Sequence, residues 1–374
     1  MVWRIAKRQQ TMKQGWEIKK LGEVCKIQTG KLDANAKVDD GVYPFFTCDA
    51  KPYRINTYAF DDKAILISGN GSLVGHINYY NGKFNAYQRT YVLTQFISFY
   101  IPFLICYLKG FLRSYIIENK KGGCIPYITL PILQDFTIPC PPLPEQEKIV
   151  AELDCLSGII EKKKQQLKEL NALAESIFYT MFGDPITNEK GLIIKTIGDV
   201  CQLKSGDSSA NNTSEGTLPY VKVGDMNIED NIPYITTSST FVSREENMKG
   251  IFPIGTTIFP KRGGAIYTNK KRMTSVEICC DLNTMGVIPK QEVLPLYLFH
   301  YFMQIDFGEL CNGAAIPQIN NINIAPLKVC VPPLTLQQEF ADKIEAIEKQ
   351  KELIKKSITE TETLFNARMQ YYFG

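Results

Sequence analysis

The sequence repeats itself, and a repeat of this size limits the possible folds more than any single motif does. Leu21-Gly22-Glu23-Val24-Cys25 lines up with Ile197-Gly198-Asp199-Val200-Cys201, inside an alignment of Gly15–Gly30 with Gly191–Gly206 at a shift of 176 (Gly15 to Gly191). The far ends match at a different shift. Gly122–Gly183 overlays Gly313–Gly374 without a gap at 191 (Gly122 to Gly313), which pairs Ile125-Pro126 with Ile316-Pro317, Pro141-Pro142-Leu143 with Pro332-Pro333-Leu334, and Gln146 with Gln337. The second half thus carries 15 extra residues (191 minus 176), all between the shared ends. The chain consists of two copies of one framework with different middles.

Each copy ends in a long helical pattern. Ile149, Leu153, Leu156, Ile160, Lys163, Leu167, Leu170, Ala174, Ile177 and Met181 follow the alternating four-three spacing of a heptad seam, broken only by Lys163. At the shift of 191 the same positions are Phe340, Ile344, Ile347, Lys351, Ile354, Ile358, Thr361, Phe365, Arg368 and Tyr372. Pro141-Pro142 and Pro332-Pro333 block helix upstream, because proline lacks the N–H and disfavours helix in the residue before it. Gly183-Asp184-Pro185 stops the first helix. From Glu145 to Met181 it would be on the order of 55 Å long at 1.5 Å per residue. Two seams of one period in a duplicated chain are expected to pair as a coiled coil with pseudo-two-fold symmetry, in preference to packing on separate cores.

The middles read as short strands with polar turns. Ala64–Ser68, Gly75–Tyr80 and Thr90–Thr94 are strand-like in the first, separated by the Gly/Asn clusters Gly69–Ser72 and Asn81-Gly82, the latter a hairpin signal; Tyr220–Val223, Thr256–Phe259 and Met285–Ile288 play that part in the second. Helices are predicted over Tyr100–Ile117 and Leu294–Leu310. The fold class is α+β: two tandem α+β modules, each followed by a long helix. The predicted segmentation is a basic tail over 1–14, a module over 15–143, a central helix over 144–183, a second module over 184–334 and a C-terminal helix over 335–374.

Several classes of function drop out on composition and spacing. No run reaches the ~18 apolar residues of a membrane span, and the basic start lacks the apolar core of a secretory signal, so a cytoplasmic protein without membrane contact is expected. Eleven cysteines without CxxC spacing and only two histidines argue for a reduced compartment and against structural zinc. There is no phosphate-binding GKT or GKS loop, and Gly69, Gly71 and Gly75 miss the dinucleotide fingerprint. The double prolines are not those of an Asn/Asp-Pro-Pro-aromatic methyltransferase segment. Glu118-Xaa-Lys120 and Glu161-Xaa-Lys163 match only the tail of a nuclease motif, with no carboxylate cluster behind them. No catalytic residue, metal or cofactor is therefore expected on this chain.

A net charge of +3 and a pI near 8.1 are compatible with DNA binding but weak for a protein that binds by charge alone, so partners are expected to help. What stands out is a set of polar and basic loops. Lys261-Arg262-Gly263-Gly264 and Asn269-Lys270-Lys271-Arg272 put five cations in twelve residues with no acid between them, and Lys222 lies on a strand of the same module. In the first module Asn70, Asn85, Gln88 and Arg89 offer groups that pair with base edges or phosphates. Arg262 is the expected base reader, because Arg can grip guanine bidentately; Lys271 is expected to meet phosphate.

Taken together, the duplication, the opener Trp16-Xaa-Xaa-Xaa-Xaa-Leu21-Gly22-Glu23-Val24 and the Ile-Pro then Pro-Pro-Leu-Xaa-Xaa-Gln junctions before each long helix resemble the specificity subunits of type I restriction-modification systems. The resemblance runs from about Gly15 to Gly374; Gly41–Phe46, Ile67–Gly71 and Phe84–Arg89 also resemble one class of that family's target recognition domains. Residues before Met12 lie outside the pattern, and Met12 is a second candidate start. The resemblance implies two target recognition domains held apart by an antiparallel coiled coil and reading the two halves of a bipartite DNA target. It implies docking of two methyltransferase subunits on the helices, a restriction subunit joining them, and S-adenosylmethionine, ATP and Mg²⁺ on those partners, with none on this chain. The residues alone leave two other readings open. A stand-alone methyltransferase or nuclease would be active as the purified chain; a coiled-coil adaptor without a DNA role would show no preference on random duplex DNA.

Overall fold

The computed structural model describes residues 16–119, 127–185, 187–207, 216–245, 247–311 and 316–374. The basic tail over 1–14 lies outside the described residues. Two compact units emerge, Met1–Lys164 with Lys356–Gly374, and Gln165–Lys355. Both boundaries fall inside the long helices, so each unit is built from one module, the start of its own helix and the end of the other helix.

In the first unit, β1 (Glu17–Lys20) pairs with β8 (Thr137–Cys140), α1 (Leu21–Val24) follows β1, and α2 (Ile101–Asn119) and α3 (Leu130–Gln134) precede β8. A six-stranded sheet has the order β2 (Lys26–Thr29), β7 (Thr90–Thr94), β5 (Phe60–Ser68), β6 (Ile77–Ala86), β3 (Tyr43–Phe46), β4 (Tyr53–Ile55). The second half of β5, Ala64–Ser68, is buried on both faces. Ile65 and Ile67 enter the cluster that holds Phe103, Leu104 and Tyr107 of α2, while Ala64 and Leu66 enter a second cluster with Phe46, Phe84 and Val92. Successive strand side chains point to opposite faces, so a strand covered on both sides reads as an unbroken apolar run.

The Asn81-Gly82 hairpin does not form. β6 runs straight through it, with Asn81 opposite Lys63 and Gly82 opposite Asp62, and the chain turns instead at 87–89; the Gly69–Ser72 cluster does open the turn between β5 and β6, at residues 69–76. Gly71 and Gly75 there take positive φ values of 84° and 82°, which L side chains rarely adopt. They supply the reversal, and Asn81-Gly82 is left to extend.

In the second unit, β9 (Ile193–Thr196) pairs with β18 (Lys328–Val331). α5 (Ile197–Val200) follows β9, and α6 (Pro295–Met303) and α7 (Asn321–Ile324) precede β18. A five-stranded sheet has the order β10 (Cys201–Ser205), β17 (Thr284–Pro289), β14 (Thr257–Pro260), β15 (Arg272–Thr274), β12 (Tyr234–Ile235), and β13 (Phe241–Val242), β11 (Leu218–Val221) and β16 (Cys279–Cys280) form a separate three-stranded sheet. The helix predicted to reach Leu310 ends at Met303, where turns take over.

The duplication survives as register. Lys20 faces Thr137 in the first unit, and Thr196 faces Lys328 in the second. Gln28 faces Val92, which faces Leu66; Lys204 faces Gly286, which faces Ile258. Three sheet strands are therefore shared, β2-β7-β5 and β10-β17-β14, and the strands beyond them differ. Tyr107 Oη donates to Thr137 O (3.2 Å), as Tyr301 Oη does to Lys328 O (2.6 Å).

The long helices are α4 (Leu143–Phe182) and α8 (Leu334–Phe373). In the first unit Glu152 meets Arg368 and Tyr372, and Lys163 meets Ser357, so the paired numbers run in opposite senses and the segments are antiparallel. Ile149, Leu153, Ile160 and Ile358 are buried in that seam, with Leu156 and Phe365 half-buried. In the second unit Phe340, Ile344 and Ile347 are buried, and Leu167, Leu170 and Ile354 are half-buried. The seam's polar members are partnered: Lys163 by Ser357, Lys351 by Glu348 (2.7 Å), Arg368 by Glu152. Toward the end of α4 the buried residues are Ala174, Phe178 and Phe182, while Ile177 and Met181 are only half-buried. A helix of 3.6 residues per turn drifts against a strict heptad, and here its end packs on α6 through Phe182 and Tyr297, whose ring centroids are 4.7 Å apart. No described helix is long and apolar enough to cross a membrane.

Candidate nucleic-acid interface

In both units the central strand runs into one and the same arrangement of backbone. β5 is followed by Gly69-Asn70, and β14 by Lys261-Arg262. Gly69 N donates to Arg89 O (2.9 Å) and Gly69 O accepts from Ile128 N (2.8 Å); Lys261 N donates to Asn283 O (2.7 Å) and Lys261 O accepts from Ile319 N (2.9 Å). Asn70 bridges to Tyr127, and Arg262 to Gln318. The structure therefore makes Asn70 equivalent to Arg262, Arg89 to Asn283 and Tyr127 to Gln318.

The strand beside each loop is anchored by a glycine of the repeated opener. Gly30 N donates to Thr90 O (3.3 Å) and Gly206 N to Thr284 O (3.0 Å). A Cβ on Gly30 would lie 1.8 Å from Ala86 O, and one on Gly206 2.0 Å from Asp281 O. Only a residue without a Cβ lets the backbones come this close.

The expected DNA contacts divide into two groups. Gln88, Arg89, Lys222 and Arg262 are exposed, and Asn70 and Lys270 are half-buried. The turn Asp281–Thr284 brings Lys222 toward Arg262, since Asp281 N donates to Val221 O (3.2 Å) while Asn283 O holds Lys261 N. These six stand on surface turns and strand ends where a duplex could meet them.

The other four face inward. Asn85 is buried, its Nδ2 donating to Thr57 O and Oγ1 (both 3.4 Å) and its Oδ1 accepting from Ala86 N (3.0 Å). Lys261 is buried with Nζ donating to Ser205 Oγ (2.7 Å); burial, then the Arg262 charge, pushes its pKa down. Lys271, expected on phosphate, is 1% exposed, with Nζ donating to Asn269 Oδ1 (2.7 Å) and to Ile305 O. Arg272 is half-buried, its Nε donating to Met226 O (3.1 Å) and a terminal nitrogen to Lys271 O (2.7 Å). A run of cations in sequence does not record which way each side chain points, and here Lys271 and Arg272 both find backbone carbonyls inside the unit. Lys271 is corrected from a phosphate contact, and Arg272 from a DNA contact, to braces of the loop, and Asn85 and Lys261 to internal supports.

Tyr127, Gln318 and Asn283 were absent from the expected set. Tyr127 is 44% exposed and bridges the loop residue directly. The signal was present in the repeat: Tyr127 and Gln318 lie at equal positions after the duplicated Ile-Pro.

Two units that share one framework and present different side chains at the same loop position define a double recognition protein. A family model for the type I restriction modification DNA specificity domain matches residues 13–172 and again 189–363, and the chain belongs to that family: it is a DNA-recognition subunit of a type I restriction-modification system, not an enzyme in its own right. The type I restriction enzyme EcoDI specificity subunit of Escherichia coli is 27% identical over 376 residues, covering 92% of this chain and 83% of that protein. A putative type I specificity subunit of Mycoplasma pneumoniae is 24% identical over 335 residues, with 86% of each chain covered. Among solved structures, the S subunit of a type I restriction-modification system from M. genitalium shares the fold with a TM-score of 0.59 at 16% identity over 96% of each chain. A chain from a structure on complex assembly and conformational transition of the type I R-M system does so with 0.60 at 20% identity over 97% of each.

Proposed function

We propose that each unit reads one half of a bipartite duplex target, the first through Asn70, Gln88, Arg89 and Tyr127, the second through Arg262, Lys222, Lys270 and Gln318. The observation that carries this is the equivalence of Asn70 and Arg262. They are set by identical backbone hydrogen bonds after the central strand, yet one offers an amide and the other a guanidinium. An amide pairs well with adenine and a guanidinium with guanine in the major groove, so one framework can serve two different sequences.

In this reading the chain acts with methyltransferase and restriction subunits on DNA. Two methyltransferase subunits dock on the helices and carry S-adenosylmethionine and the flipped adenine, and ATP and Mg²⁺ belong to the restriction step. The modest charge of this chain is consistent with partners completing the phosphate clamp. Mapping methylated adenines in a host that carries this chain and its methyltransferase tests the reading. A bipartite motif is expected, and exchanging 191–312 for the equivalent module of another such subunit should change one half only. Absence of any motif, or a change in both halves, refutes it.

A further inference from the structure

Lys271 stands out once it is removed from the surface. It is buried on all sides, and its ammonium has three acceptors: Asn269 Oδ1 at 2.7 Å, the Ile305 carbonyl, and the face of Phe307, whose ring centroid lies 4.4 Å from Nζ. Asn269 Oδ1 also accepts from Phe307 N (3.0 Å). Asn269 itself is left-handed, with φ 52° and ψ 29°, and it closes the 3₁₀ turn Gly263–Thr268 by donating its N–H to Ile266 O (2.9 Å). Arg262 stands at the opening end of that turn, where Gly263 N donates to Pro317 O (2.9 Å).

The loop is thus held at both ends. At one end the backbone of Arg262 and Gly263 is tied to the segment Pro317-Gln318. At the other, a lysine inside the unit grips the side chain that terminates the turn. Stability alone is a poor account of this lysine. Burial pushes its pKa down to about 8, against a weaker opposing pull from Asp306, so the site holds the charge less readily than water does. An apolar side chain would fill the space without that penalty but could not hold Asn269.

We propose that Lys271 is a positioning residue for DNA reading: together with Asn269 it fixes the turn that presents Arg262 and Lys270, and so sets the base selectivity of the second unit. The inference rests on the reading that this turn faces DNA. Lys271 touches no base or phosphate in it. In the first unit the described turn at the same place is built differently, on Gly71 and Gly75 with positive φ.

The test uses the full chain in complex with its methyltransferase subunits, selecting duplexes from a random pool, alongside thermal unfolding of the chain. The unchanged complex first establishes the two half-sites; a complex with no bipartite preference refutes the general reading rather than this one. Lys271→Met keeps the volume and removes the donors. Asn269→Gly keeps the left-handed backbone and removes Oδ1, and Asn269→Asp restores an acceptor in a residue that tolerates that conformation. For Lys271→Met and Asn269→Gly, base preference is expected to fall about tenfold or more at one half-site, with the other unchanged and both variants folded at the temperature of the selection. Asn269→Asp is expected to retain preference at both. Full preference in Asn269→Gly overturns the proposal. So does equal loss at both half-sites, which would assign the pair to folding alone.

Discussion

Gln146 and Gln337 make the clearest quantitative test of the duplicated framework. Each sits in the first turns of a long helix and is fully buried. Gln146 accepts from Tyr100 N (2.8 Å) and donates to Pro141 O (2.8 Å) and Ser98 O (3.4 Å). Gln337 accepts from Leu294 N (2.7 Å) and donates to Pro332 O (2.8 Å) and Glu292 O (3.0 Å). Each amide ties its helix to the segment that leads into α2 or α6. Replacement by Leu keeps nearly the same volume and leaves one N–H and two carbonyls without their partner. An orphaned buried polar group costs about 1–3 kcal/mol. Some of these groups border solvent, so about 2–5 kcal/mol per substitution is expected. At roughly 2–4 °C per kcal/mol for a domain of this size, the midpoint should fall by about 4–20 °C. Calorimetry and urea titration of the two single variants and the double variant measure this. The singles should match to within about 1 kcal/mol, and with no shared partners their effects should add to within about 0.5 kcal/mol. A loss below about 1 kcal/mol in either would show that water replaces the tie. Strong non-additivity would show that the two ties are not independent.

Arg262→Ala should lose selectivity at one position of one half-site, at about 1–3 kcal/mol if the guanidinium grips a guanine, whereas Lys222→Ala should weaken all sequences alike and flatten the salt dependence; binding titrations at several salt concentrations separate the two. Gly30→Ala and Gly206→Ala each drive a Cβ into a backbone carbonyl, so about 1–3 kcal/mol or more of stability should be lost, read as a lower denaturant midpoint. Lys271 gives a pH signature. Its folded pKa of about 8 lies below the ordinary 10.5, so the unfolded chain binds more protons between these values and stability should rise with pH across that window. Relative to Lys271→Met, the parent should gain on the order of 1 kcal/mol between pH 8 and 9. A flat difference would place the ammonium in a more watery site than the structure does.

The parts legible in the sequence were those written as repetition or periodicity. The two shifts located the shared ends, and the register of β1 on β8 and of β9 on β18 reproduces them residue for residue. The helix pair was legible because Ile149, Leu153, Phe340 and Ile344 recur at heptad spacing. Its end was not, since Phe178 and Phe182 are buried by packing on Tyr297, a long-range contact that no local period encodes. The turn after β6 was misplaced for a similar reason: Asn81-Gly82 is a good local turn, but pairing with Lys63 and Asp62 across ten residues of β6 outweighs it. The candidate face was half legible. Charge and amide content pointed to loops that put Gln88, Arg89, Lys222 and Arg262 at the surface, and the direction of each side chain depended on what lay beneath.

That division explains how one scaffold can carry two specificities. The elements that the two units share in structure, β2-β7-β5 with α1 and β8 in one unit and β10-β17-β14 with α5 and β18 in the other, fix the backbone at Gly69-Asn70 and Lys261-Arg262 through matching hydrogen bonds. The unmatched strands, β6-β3-β4 against β15-β12 and the β13-β11-β16 sheet, surround that point with different supports. Under the first loop lies an apolar strand and a pair of left-handed glycines; under the second lie two buried lysines held by Ser205 and by Asn269. A change in the unmatched strands can therefore re-aim the loop without disturbing the frame. A change in the frame, at Gly30 or Gln146, should unsettle the whole unit. Selectivity is expected to move with the supports as much as with the residues that touch DNA, which makes Asn269 as informative a position as Arg262.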